Sequence, residues 1–118
     1  MNILLKRAYD PADPGDGFRI LVDRLWPRGL SRESAKIDLW LKSIAPSNEL
    51  RKWYQHDPEK WPEFQKRYFA ELDTNRAAVT ELINHLKRQN VTFLFGTKDL
   101  QYNNAAALKT YVESKLAR

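Results

Sequence analysis

Two stretches of this chain set charged groups directly behind an apolar run. In Val22-Asp23-Arg24-Leu25-Trp26-Pro27-Arg28-Gly29, a carboxylate and two guanidinium groups follow Ile20-Leu21-Val22. In Gly96-Thr97-Lys98-Asp99, an ammonium group and a carboxylate follow Val91-Thr92-Phe93-Leu94-Phe95. Arginine offers a planar fork that matches phosphate or carboxylate with two hydrogen bonds, and lysine adds a compact positive charge. Arg24, Arg28, Arg51 and Lys98 therefore form a set able to neutralise an anion, with Trp26 and Pro27 stiffening the loop between the first two. Asp23, Asp99 and His56 form a set able to move a proton. One positioned acid or base contributes ~10²–10⁴-fold to a rate, and fixed cations facing developing charge contribute a large electrostatic share. His56 lies in Gln55-His56-Asp57-Pro58, a break between helical stretches, where an imidazole can act in catalysis or simply tie the junction together. Asn103-Asn104 follows the second charged stretch; asparagine there can cap a helix or hold the polar edge of a ligand.

Each set matters only if the fold gathers it. Ile3 to Ala8 reads as a first strand, and Asp10 to Gly17, broken by prolines and glycines, as a loop. Phe18 to Arg24 reads as a second strand, with Ile20-Leu21-Val22 buried on both faces. Ser31 suits the cap of a short helix. Ile37 to Leu41 fits a strand by alternation and a helix by its Ile37, Trp40, Leu41 and Ile44 face. A helix from Pro46-Ser47 to about Tyr54 precedes a second one opened by Asp57-Pro58, whose stripe Trp61, Phe64, Tyr68, Leu72 has helical spacing. A helix over about Asn75 to Arg88 presents Val79, Leu82, Ile83 and Leu86, with His85 on its polar flank. Val91 to Phe95 is a short β-branched and aromatic strand ended by Gly96, and a last helix from about Asn103 turns Leu108, Tyr111, Val112 and Leu116 inward. Strands separated by helical stretches predict an α/β class, a single compact domain with a small, at least partly parallel sheet flanked by helices. In such sheets the site lies outside the carboxyl ends of the strands, which is where both charged stretches fall.

The length of 118 residues suits one domain with a real core. There is no cysteine, which excludes disulfides and thiolate chemistry and fits a reducing cytoplasm. Two histidines argue against a structural zinc site, and the pattern calls for no cofactor. No apolar run approaches the ~20 residues that span a bilayer, and the N-terminal apolar part is too short for a signal peptide, so a cytoplasmic protein without membrane contact is expected. The net charge of +5 admits a small anionic ligand or a nucleic acid as partner. The four glycines fit neither a dinucleotide fingerprint nor a phosphate-binding P-loop. Trp40, Trp53 and Trp61, with Tyr54, Phe64 and Tyr68, could stack bases, but aromatics at helical spacing are more often core.

The strings YDPADPGDGFRILVDRLWPRGLS (Tyr9 to Ser31), APSNELRKWYQHDPEKWPEFQKRYFAEL (Ala45 to Leu72) and VTFLFGTKDLQYNNA (Val91 to Ala105) resemble the YeaO-like proteins, a branch of the group called domain of unknown function 488. The resemblance covers nearly the whole chain. It implies a compact α/β domain whose three motifs meet at one surface, with Asp23, Arg24, Arg28, Ser47, Arg51, His56, Lys98, Asp99 and Asn104 as the recurrent polar set. Broader members of the group carry a cysteine after the last strand, where this chain has Asn103-Asn104, so a thiol mechanism is excluded here. Three functions remain open: a pocket, catalytic or binding, for a nucleotide or phosphorylated small molecule; a nucleic-acid-binding accessory module; and a structural or partner-binding protein whose charged strand ends form an internal ion-pair network.

Overall fold

In a computed structural model describing residues 2–117, the apolar runs become four strands: β1 (Ile3–Arg7), β2 (Phe18–Leu21), β3 (Leu39–Trp40) and β4 (Val91–Phe95). They form one sheet in the order β1-β4-β2-β3, and every pairing is parallel. Val91 of β4 faces Ile3 on one side and Phe18 on the other, so the three longer strands run in step and their carboxyl ends share one edge. The ambiguous stretch Ile37–Leu41 resolves as a two-residue strand, because Leu39 and Trp40 pair with Ile20 and Leu21. The second strand stops at Leu21 rather than Arg24; Val22 still donates to the Leu94 carbonyl at 3.1 Å, and the chain then leaves the sheet.

The helices are α1 (Arg32–Ala35), α2 (Asn48–Tyr54), α3 (Trp61–Asp73), α4 (Arg76–Arg88) and α5 (Asn104–Leu116). Ser31 caps α1, and Asp57 with Pro58 opens the 3₁₀ turn that leads into α3. The larger core packs α2, α3, α4 and α5 against one face of the sheet, through Ile20, Phe93, Phe64, Tyr68, Leu72, Leu82, Leu86, Leu108 and Val112 among others. Phe64, Tyr68 and Leu72 of the aromatic stripe are buried there, and Trp61 is half-buried against them. His85 is not simply solvated: its ring stacks on Phe18 at 4.9 Å, because the end of α4 lies over the start of β2. The second face is covered by the two crossovers, with Ala8, Leu21, Ala35, Ile37 and Leu94 packed under Trp26, Leu30 and Trp40. Among the described residues, no helix is long and apolar enough to cross a membrane.

The first crossover is fastened by charge. Arg19, in a strand read from its apolar neighbours, is buried and donates to Asp16 and to the carbonyls of Lys36 and Ala35. Lys6 donates to both oxygens of Asp16, and Thr92 donates to its carbonyl at 2.7 Å. Gly17 makes this approach possible. Its φ of +66° favours glycine, and a Cβ there would stand 2.4 Å from the Asn90 carbonyl oxygen. Both atoms belong to backbones held by the Phe18 N–H to Asn90 carbonyl hydrogen bond, so neither yields easily. Gly17→Ala is expected to cost about 2 kcal/mol or more, from the strained backbone plus the contact. Urea unfolding measures it, and a loss below ~0.5 kcal/mol would show that the crossover can shift.

Candidate functional site

The two charged strand exits meet. Because β2 and β4 are parallel neighbours, Asp23 and Gly96 leave the sheet side by side, and Asp23 Oδ2 accepts the Gly96 N–H at 2.8 Å. The β2 exit is pinned from three directions. Trp40 donates its indole N–H to the Asp23 carbonyl at 2.8 Å, Asn104 donates to the Val22 carbonyl at 3.1 Å, and Arg24 donates to the carbonyls of Pro46 and Ala45. The β4 exit is held by Arg7, which donates to the carbonyls of Gly96 and Thr97. Beyond them Trp26 lies edge-on against Trp40 and donates to the Leu30 carbonyl, while Tyr9 donates its hydroxyl to the Arg28 carbonyl. VDRLWPRG is therefore a buried strand end that turns into a braced loop.

That loop forms one wall of a pocket of about 500 Å³, within the ordinary range for small-molecule sites. Asp23, Arg24, Trp26, Arg28, Arg51, His56, Asn103 and Asn104 all line it. Tyr54 and Phe64, whose rings stack at 4.3 Å, are buried in the core and also line it, so they form its floor. Arg28, Arg51 and Lys52 are exposed and form its rim. Thr97 of the second charged stretch lines it as well, and so do Tyr9, Lys52 and Gln55, which the sequence does not single out as site residues. For Gln55 a signal existed: α2 ends at Tyr54 with no glycine to follow, so the left-handed cap falls on Gln55 (φ 48°) and continues into His56 (φ 57°). Two consecutive non-glycine residues in that region are strained, and they carry His56 to the pocket.

Three predicted site residues stand elsewhere, each for a visible reason. Ser47 caps α2 by accepting from the Leu50 N–H and donates its hydroxyl to Glu71 at 2.6 Å, so its polar groups are spent inside the fold. Asp99 Oδ1 accepts the N–H groups of Gln101 and Tyr102, both at 2.9 Å, which hold its carboxyl below the usual range. Its turn leaves Lys98 exposed, and neither Lys98 nor Asp99 lines the pocket. Asn103 does line it, but its oxygen accepts the Ala106 N–H to cap α5 and its amide donates to the Asp99 carbonyl.

The charges of the site are not an internal ion-pair network. The four ion pairs among the described residues are Lys6–Asp16, Arg19–Asp16, Arg67–Glu63 and Lys115–Asp73, and none involves a lining residue. Asp23 Oδ1 is buried with no hydrogen-bond partner. Burial pushes the Asp23 carboxyl above its usual range; the Gly96 N–H, the Asn104 side chain and His56 oppose that shift without cancelling it. The lining thus combines four cations, Arg24, Arg28, Arg51 and Lys52, with the single carboxylate of Asp23, whose burial raises its pKa above the usual range.

Residues 2–118 match the family model described as the inactive DUF488-N3 subclade. The uncharacterised protein YeaO of Escherichia coli (strain K12) is 41% identical over 114 residues, covering 97% of this chain and 99% of its own. The uncharacterised proteins Rv3073c of Mycobacterium tuberculosis (strain H37Rv) and Mb3100c of Mycobacterium bovis are each 42% identical over 107 residues, covering 91% of this chain and 90% of theirs. No solved structure matches the chain. With both the family model and these relatives spanning almost its whole length, the chain belongs to the YeaO-like proteins of the DUF488 family, in the subclade described as inactive DUF488-N3.

Proposed function

We propose that the pocket binds a small phosphorylated molecule and holds it without chemical turnover. The observation that carries this reading is the cationic lining without ion-pair partners: four Lys and Arg side chains around one partly buried carboxylate, none of them in an ion pair among the described residues. Arg24 already spends part of its fork on the Pro46 and Ala45 carbonyls and Arg51 one donor on Asn48, and a phosphate group supplies acceptors for the donors that remain on these side chains and on Arg28 and Lys52. The absence of turnover is supported by the description of the subclade as inactive. The disposition of the proton-moving candidates supports the same reading. Asp99 is occupied in a turn, and Asp23 and His56 line the pocket without a hydrogen bond between them. Tyr68 and Leu72 of the aromatic stripe are packed into the core, and of the stripe only Phe64 lines the pocket, which leaves no extended platform for a nucleic acid.

Calorimetric titration with ribose 5-phosphate tests the reading. Arg51 makes one side-chain hydrogen bond, to Asn48 at 3.3 Å, and Arg28 uses only its backbone carbonyl, so both guanidinium groups are dispensable to the fold. Arg51→Ala and Arg28→Ala are each expected to weaken binding about tenfold, the scale of a lost charge-assisted hydrogen bond, with an almost unchanged melting temperature. Arg24→Ala is expected to lose affinity and melt earlier, because Arg24 also ties the loop to Pro46 and Ala45. A wild-type chain that binds no phosphorylated compound would overturn the proposal.

A further inference from the structure

We infer that the ligand is a nucleoside monophosphate, seated with its base against the aromatic floor, its phosphate at the cationic rim, and an N–H or O–H of its nucleoside donated to Asp23. This rests on the phosphate reading above and adds the other end of the molecule.

Depth separates two chemistries in this pocket. The cations Arg28, Arg51 and Lys52 are exposed at its mouth, beside the polar Gln55 and His56, whereas the buried lining residues Tyr54 and Phe64 are stacked aromatic rings. Leu25 and Tyr9, both unusually exposed for their size, continue the apolar lining outward beside Trp26. A ligand made only of hydroxyls and phosphate would desolvate its hydroxyls against those rings without gaining partners. A planar heteroaromatic ring gains stacking and apolar contact there instead.

Asp23 supplies the second requirement. Its Oδ2 is committed to the Gly96 N–H, and its Oδ1, buried in the same lining, meets no donor in hydrogen-bond geometry among the described residues, since the Asn104 amide beside it is turned to the Val22 carbonyl. A buried acceptor left without a donor is costly, so a ligand that brings one N–H or O–H to this point gains more than the same bond would give in water. Nucleosides carry such donors next to a flat ring and one phosphoester arm away from the phosphate. The neighbouring His56 and Asn104 side chains are polar, so a ribose or base edge meets hydrogen-bonding groups there and not a wholly apolar wall.

The experiment compares ribose 5-phosphate, the four ribonucleoside monophosphates and adenosine on the full chain by calorimetry. At least one nucleotide is expected to bind tenfold or more tightly than ribose 5-phosphate. Asp23→Asn should erase most of that advantage while leaving ribose 5-phosphate within about twofold. The substituted amide must keep its oxygen toward the Gly96 N–H, and so turns its NH₂ toward the ligand donor. If ribose 5-phosphate equals all four nucleotides, the inference falls and the phosphate reading stands. If adenosine binds as tightly as its monophosphate, the phosphate reading falls and takes the nucleotide with it. If nothing binds, both fall. The comparison of ligands on the unaltered chain decides the matter even where Asp23→Asn fails to fold.

Discussion

Replacing Asp16 by alanine is expected to lower stability by about 3–5 kcal/mol, the cost of leaving a buried charge without its partner. Arg19 and Asp16 side chains are each only 4% exposed. Arg19 would keep the carbonyls of Lys36 and Ala35 but lose its counter-charge, and Lys6 would lose both carboxylate oxygens at once. An arginine cannot escape by releasing its proton. The deficit must therefore be met by water entering under the first crossover or by the crossover lifting from the sheet. Replacing Asp16 and Arg19 together by leucine and methionine should recover most of the loss, because a buried pair exchanged for apolar volume is often neutral. The same pair sets an acid limit. Burial opposes the charged form of Asp16, but the Asp13 N–H, Lys6 and Arg19 outweigh it and hold the carboxyl below its ordinary value of 3.8. The stabilisation is therefore complete above that value and is lost as pH falls through the lower, folded-state one. Urea unfolding of the wild type and Asp16→Asn between pH 7 and pH 2 reads this directly. A parallel loss in both proteins would place the acid sensitivity elsewhere.

From the sequence this crossover reads as a loop without regular structure, because the contacts that order it are distant in the chain. Val91–Phe95 was legible because a short β-branched and aromatic run bounded by glycine admits one reading, and the strand has those bounds. The stripe of α3 was legible because its spacing alone turns Phe64, Tyr68 and Leu72 to one side. The convergence of Asp23 with Gly96 was legible because parallel strands deliver their ends to one edge. What escaped depends on partners far away in the chain. Nothing near Ser47 announces that Glu71 will take its hydroxyl, and Arg19 looks like a solvent-facing strand residue until Asp16 folds over it. Lys98 and Arg28 are alike as letters, yet the turn made by Asp99 sends one away from the pocket and the Tyr9 hydroxyl bond to Arg28 keeps the other's loop beside it. Charge at a strand end tells where a site is; the local turn decides which charge enters it.

Tyr68 carries the second large effect. Its ring is fully buried between Phe64 and Leu72, and its hydroxyl donates to the Ile44 carbonyl at 2.6 Å. Tyr68→Ala removes a core aromatic and strands that carbonyl, so a loss of about 3–5 kcal/mol is expected. Tyr68→Phe keeps the ring and strands only the carbonyl, at about 1–3 kcal/mol. Urea unfolding of the two variants separates packing from hydrogen bonding, and a loss below ~0.5 kcal/mol for Tyr68→Ala would mean that the stripe does not carry the core. The same residue predicts alkaline behaviour. Burial first, then the charges of Asp23 and Glu71, raise the Tyr68 phenol well above its ordinary value of 10.0, with Arg24 opposing. A group raised in the folded state stabilises fully below its unfolded value and loses that contribution as pH climbs toward the folded one. Stability should therefore decline from about pH 10 upward, as the unfolded chain releases this proton and the folded chain cannot. Tyr54 and Tyr111, each pushed up to about 12, act in the same direction. Tyr68→Phe should soften the decline without abolishing it. An unchanged slope between pH 9 and pH 11 would show that the Tyr68 proton is not held by the core.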